Sequence, residues 1–241
     1  MNKNLFLEVP VFSAESAMMA QESGADRIEL CAEQSVGGLT PAFETIIKVK
    51  NQLKIPFRVM IRPRAGDFLY TENEFNTMIS EIQMCKKLVV DGIVFGILQK
   101  DGFVDKYRCK QLLDLANPMP ATFHRAFDEL ADPFRALEDI IELGFDRILT
   151  SGQKSSAFEG KELIGRLIKM AGNRIIIMPG AGITAENIVE IYHTSGAIEF
   201  HASCKIQSKK RSSSAAIENN QSWETSGERI REIKKVMAGI Y

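Results

Sequence analysis

Eight short apolar runs, each followed by a longer amphipathic segment, set what this chain can fold into. They lie near residues 5–9, 27–31, 56–62, 92–96, 121–125, 147–150, 175–179 and 197–201. Dividing 241 residues by eight gives about 30 per unit, enough for one strand, one helix and their connections. Alternation at that spacing calls for a parallel sheet. Eight repeats favour closure into an α/β fold of the (β/α)8 TIM type over an open sheet. Residues 1–241 then read as a single barrel domain.

Punctuation agrees with the units. Ser13 is placed to cap the first helix, Thr40-Pro41 the second and Thr184 the seventh. Gly24, Gly144 and Gly196 stand just before strands, where a helix C-terminus favours glycine. In the last helix Ile230, Ile233, Val236, Met237 and Ile240 share one face. Glu22-Ser23-Gly24-Ala25-Asp26-Arg27-Ile28 is echoed by Glu142-Leu143-Gly144-Phe145-Asp146-Arg147-Ile148. Either common turn chemistry or half-barrel duplication produces such a repeat. Residues 207–222, rich in Ser, Asn, Gln and Lys, break the rhythm before the last helix. A connection this long is expected to be a lid or disordered.

Composition excludes some functions. Lys plus Arg number 30 and Asp plus Glu 31, a formal charge of −1, which argues against a nucleic-acid-binding surface. No apolar run reaches the roughly 18 residues of a membrane span, and the first residues lack a signal-peptide pattern. Four cysteines without close pairing do not form a disulfide framework. The expectation is a cytoplasmic protein without membrane or nucleic-acid partners.

Active sites of such barrels lie at the C-terminal ends of the strands. There this chain carries Glu8, then Glu29 and Cys31, then Arg62 and Arg64, then His124 and Arg125, and finally Glu199 and His201. Residues two apart share a face, so Glu29 with Cys31, Arg62 with Arg64, and Glu199 with His201 point together. Buried ions are costly unless paired. The ring is therefore either a structural ion-pair cluster or a catalytic set of Glu8, Glu29, Arg62, Arg64, His124, Arg125 and His201. Within that set His124 and Glu29 are the expected acid/base pair, with His201 as alternate. Glu8, Glu29, His124 and His201 can also converge on a divalent ion. Gly180-Ala181-Gly182 precedes a helix start and, with Ser151-Gly152, suits an anion such as a small phosphorylated ligand. Cys31 ends strand two and Cys204 lies just past strand eight, on one rim with strand one between them, where two thiols suit Cu(I), unless they are simply a small buried side chain and a loop thiol.

At these residues the sequence resembles the CutC family, known as copper homeostasis proteins. The matching segments are Gly24-Ala25-Asp26-Arg27-Ile28-Glu29-Leu30-Cys31, Gly37-Gly38-Leu39-Thr40-Pro41, Ile61-Arg62-Pro63-Arg64-Ala65-Gly66-Asp67-Phe68, Thr122-Phe123-His124-Arg125-Ala126-Phe127-Asp128, Leu149-Thr150-Ser151-Gly152 and Pro179-Gly180-Ala181-Gly182-Ile183. The resemblance implies a TIM-type barrel, a cytoplasmic homo-oligomer such as a dimer, and copper binding through cysteines. The strand-two cysteine of the family's copper pair matches Cys31. The strand-one cysteine falls on Pro10, since this chain has Glu8-Val9-Pro10 where such members show Glu-x-Cys. A dithiol site then requires Cys204 as substitute. Two functions follow: copper handling, implied by the resemblance, or an enzyme acting on a small anionic substrate at the barrel rim.

Overall fold

The computed structural model describes residues 5–207 and 223–240. Its apolar runs form eight short strands: β1 (Phe6–Val11), β2 (Arg27–Leu30), β3 (Phe57–Met60), β4 (Ile93–Phe95), β5 (Ala121–Phe123), β6 (Arg147–Thr150), β7 (Ile176–Pro179) and β8 (Glu199–His201). All pair in parallel, in the order β7-β6-β5-β4-β3-β2-β1-β8. A parallel bridge between Gly180 and His201 joins the two ends and closes the ring. The barrel expected from the repeat is the fold observed.

The amphipathic segments form the outer layer: α1 (Ala14–Glu22), α2 (Phe43–Gln52), α3 (Glu72–Lys87), α4 (Lys106–Ala116), α5 (Pro133–Leu143), α6 (Lys161–Ala171), α7 (Ile188–Ser195) and α8 (Gly227–Ala238). Between β8 and α8, β9 (Lys205–Gln207) and β10 (Trp223–Thr225) pair antiparallel. The expected lid lies, from residue 208 to 222, outside the described residues. No helix among the described residues is long and apolar enough to cross a membrane.

Local chemistry explains most helix ends. Ser13 Oγ accepts the Ser16 N–H at 3.1 Å, as expected of an N-cap. Thr71 and Glu74 form a capping box at α3, and Asp132 caps α5 with Pro133 in its first turn. Gly144 and Gly196 close α5 and α7 in the left-handed conformation, at φ 94° and 74°. Two expected caps differ. Thr40 turns inward, accepting the Arg62 N–H at 2.8 Å and donating to Glu81 at 2.9 Å, and α2 starts at Phe43 without a side-chain cap. Thr184 begins a turn that precedes α7, whose first residue is Ile188.

Strand alternation sorts the side chains. Leu7, Val9, Ile28, Leu30, Val59, Ile61, Phe123 and Phe200 are fully buried in the apolar layer beneath the helices. The other face fills the barrel, and here the chain departs from the usual aliphatic filling. Arg27 bridges Glu8 and Glu199 at 2.5 and 2.7 Å, and Arg147 grips Glu199 with two bonds of 2.7 and 3.0 Å. Arg58 donates to Thr122 Oγ1. Burying each ion costs several kcal/mol, which only such pairing offsets.

The internal repeat has a structural meaning. Asp26 and Asp146 each accept an N–H at the start of the preceding strand, Leu7 at 2.7 Å and Ala121 at 2.8 Å. The arginine after each aspartate, Arg27 or Arg147, points inward to the same Glu199.

This network makes an acid-stability prediction. Burial pushes the Glu199 carboxyl up, but bonds from Arg147 and Arg27 outweigh it and hold it below its ordinary 4.5. The resulting stability is complete above about pH 4.5 and is lost as pH falls through the folded-state value. Glu199→Gln is expected to lose about 3–5 kcal/mol at pH 7, because the buried Arg27 and the part-buried Arg147 lose their shared carboxylate. Its stability should then fall less than that of the native chain between pH 7 and 4. Urea unfolding at both pH values measures this, and an equal fall in the two proteins would contradict it.

Candidate functional site

At the C-terminal mouth the barrel opens into a cavity of about 620 Å³. Its wall includes Pro10, Glu29, Cys31, Met60, Arg62, His124, Arg125, Leu149, Ala181, Gly182, His201 and Lys205. These side chains come from the upper ends of β1, β2, β3, β5, β6, β7 and β8. The inward residues two positions earlier, such as Arg27 and Arg58, form the charged floor.

His201 is the best-anchored polar group of the wall. Its Nδ1 lies 2.9 Å from Glu8 Oε1, while Arg27 holds the other oxygen of Glu8. Its Nε2 faces Glu29 Oε2 at 3.8 Å. Ligand atoms of Glu8, Glu29 and His201 all lie within 4.8 Å of one another. Burial pushes Glu8 up, but Arg27 and His201 prevail and hold its carboxyl well below the usual carboxylate range. Burial and the neighbouring Glu8 raise Glu29 to about 6. Burial disfavours the charged imidazole of His201, yet Glu29 and Glu8 together raise its pKa.

Cys31 sits beside this group. Its thiol donates to Glu29 Oε2 at 3.6 Å and packs in a small cluster with Met60 and Val94. Burial and the adjacent Glu29 push the thiol well above its ordinary value, so it is protonated at neutral pH. Cys204 does not meet it. That thiol, 4% exposed, lines a second cavity with Trp223 and Arg229, on the outer side of β8 against α8. The expected pair is therefore divided between two cavities. With Pro10 on the wall, Cys31 is the one thiol on the mouth among the described residues.

His124 does not join Glu8, Glu29 and His201. Its Nδ1 accepts the Ala126 N–H at 3.3 Å, which leaves the ring proton on Nε2. Burial and the Arg62 charge depress its pKa to about 3. At neutral pH it is an uncharged hydrogen-bond donor, not the base expected from the sequence. The reason is tertiary: Phe68 stacks 4.7 Å from the ring and excludes water.

Arg62 and Arg64 also part company. Arg62 lines the cavity and is tied by its terminal nitrogens to the Val36, Gly38 and Gly66 carbonyls. Arg64 turns outward to Asp67 and Glu74, away from the mouth, because the chain has left β3 and strand alternation no longer applies. Arg125 reaches the rim, paired with Asp128 at 2.8 Å.

The expected anion loop is partly used up. Gly180 donates its N–H to Thr150 O, and the Ser151 and Gln153 N–H groups donate to Asp128. Gly152 donates to Thr150 Oγ1 at 2.9 Å. Gly152 adopts φ 69° and crosses Gly160 so closely that a Cβ would lie 2.4 Å from the Gly160 carbonyl oxygen. Its glycine thus serves backbone packing, and Asp128 occupies the donors that an anion would need. Gly182 keeps an N–H group without a partner among the described residues and, with Ala181, borders the cavity. Sequence reasoning missed Met60, Asp128 and the floor arginines. The Asp-Arg repeat and the Arg58-Met60-Arg62 alternation carried the signal for most of them.

Comparison with known proteins agrees with this architecture. The family model described as the CutC family matches residues 5–206. A human protein named copper homeostasis protein CutC homolog is 47% identical over 234 residues, covering 95% of this chain and 86% of the relative. A CutC family protein of Parabacteroides distasonis is 50% identical over 200 residues, covering 83% and 82%. The crystal structure of the CutC protein from Streptococcus agalactiae superposes with a TM-score of 0.79 at 32% identity, covering 83% of this chain and 98% of that one. On this family match and these relatives, the chain belongs to the CutC family.

Proposed function

We propose that this chain, like the relatives named for it, serves copper homeostasis, and that the mouth cavity is where it takes up Cu(I) as cargo. The observation that supports this reading is the placement of Cys31, Met60 and His201 on one wall. Thiolate, thioether and imidazole are the donors that suit Cu(I). The ion must displace the thiol proton, and one thiolate is too few for tight chelation. The site is thus one of exchange rather than storage. The same reading carries one barrel domain over residues 1–241, a cytoplasmic location and a homo-oligomer, for which the family resemblance is the support.

A second reading has its own observation. Glu29 Oε1, Arg62 Nε and His124 Nε2 are buried without hydrogen-bond partners, and all three residues border the cavity. Unpaired buried polar atoms of both signs suit a small polar ligand. With the free amide of Gly182, they favour an enzyme acting on a small anionic substrate. Glu29 is then the base, and His124 the neutral donor to a developing negative charge.

Titration with Cu(I) under reducing conditions tests the first reading. About one equivalent should bind weakly enough for a strong chelator to strip it. Cys31→Ser should abolish binding, and Cys204→Ser should leave it unchanged. Sub-picomolar affinity surviving Cys31→Ser would sink the assignment. A thermal-shift screen of phosphorylated and carboxylated metabolites tests the second. For any ligand that is turned over, Glu29→Gln should lower the rate by about 100-fold or more with little change in melting. Full turnover in that variant removes Glu29 from the chemistry.

A further inference from the structure

The copper reading rests on sulfur, yet the polar atoms of the same wall are arranged for a different kind of ion. Glu8 Oε1 fixes His201 Nδ1 at 2.9 Å, so the imidazole proton lies on that side and the Nε2 lone pair is directed at Glu29. A carboxylate behind a histidine is the usual support of a metal-ligating imidazole. The distance from Nε2 to Glu29 Oε2 is 3.8 Å, beyond hydrogen-bond range. An ion bonded at about 2.1 Å to a nitrogen and an oxygen holds them about 3.4 Å apart at a tetrahedral angle. The pair therefore stands a few tenths of an ångström wider than a loaded site.

A second observation is independent of that spacing. Glu29 is 3% exposed, and its Oε1 has no partner in the protein. A buried carboxylate oxygen without a donor is costly. Arg27 of the floor is committed to Glu8 and Glu199. A cation at the His201 lone pair, held by Glu29 through both carboxylate oxygens, gives the orphaned Oε1 a partner as well as meeting Oε2.

We propose that Glu29 and His201, with Glu8 supporting the imidazole from behind, form a site for a divalent first-row transition ion such as Zn²⁺, Mn²⁺ or Co²⁺, with open positions facing the mouth cavity. Imidazole nitrogen and carboxylate oxygen select these ions over Cu(I), which prefers sulfur. Few protein ligands beside an open cavity leave positions at which such an ion takes a further small ligand. The ligand atoms are oxygen and nitrogen rather than the sulfur of Cys31, and so the site goes beyond the copper reading.

The experiment is titration of the full chain, freed of metal by a chelator, with Co²⁺. Wild type should take up one equivalent and develop a visible ligand-field band. Its proton spectrum should show one strongly shifted exchangeable imidazole N–H, from the Nδ1 side of a bound histidine. Glu29→Gln and His201→Gln, each checked for folding by circular dichroism, should weaken Co²⁺ by more than about 100-fold. Met60→Leu should keep Co²⁺ affinity within about threefold while weakening Cu(I), which separates the two readings. The proposal is overturned if wild type shows no band and no shifted proton, or if uptake survives both substitutions.

Discussion

Arg27 is the residue on which the interior depends. Its guanidinium lies between Glu8 and Glu199, 5% exposed, and joins β1, β2 and β8 across the floor of the barrel. Such a cluster is stable only when every member is paired. Arg147 takes the second oxygen of Glu199, and His201 takes the second oxygen of Glu8. The line therefore runs Arg147, Glu199, Arg27, Glu8, His201, Glu29. Each charge orients the next, and the last two face the cavity. Fixed geometry at the mouth is a consequence of ion pairing on the floor.

The mouth combines two donor types that chemistry normally keeps separate. Cys31 and Met60 offer sulfur, while Glu29 and His201 offer oxygen and nitrogen. Burial and Glu29 keep the thiol protonated, so sulfur is the less ready donor at neutral pH. Across the cavity His124 is neutral because Phe68 and Arg62 disfavour its cation. Its Nε2–H is a fixed dipole, a group that stabilises negative charge without giving up a proton.

Much of the site was legible because strand alternation is a geometric rule. Glu29 with Cys31 and Glu199 with His201 were expected to share the inner face, and each pair does. The rule ends where the strand ends. Arg62 still obeys it and Arg64 does not, since the chain turns after Pro63 and Arg64 finds Asp67 and Glu74 outside. Ser151-Gly152 had the composition of an anion loop, but Asp128, distant in sequence, takes its donors. A glycine required by φ 69° and by contact with Gly160 cannot be told, in one sequence, from a glycine required by a ligand.

The sequence by itself determined the periodicity, and with it the number of units, their parallel pairing and the face each strand residue occupies. These follow from local rules: period two in strands, period 3.6 in helices, and caps at their junctions. The echo of Asp26-Arg27 in Asp146-Arg147 also lies in the sequence, though its meaning does not. Only the tertiary structure brought both arginines onto Glu199, put Cys31 and Cys204 in different cavities, and made His124 neutral while Glu29 and Glu8 raise the pKa of His201. Those outcomes depend on which charges and rings meet across the barrel, and on how far water is excluded. Both are set by closure of the ring rather than by any residue's neighbours in the chain.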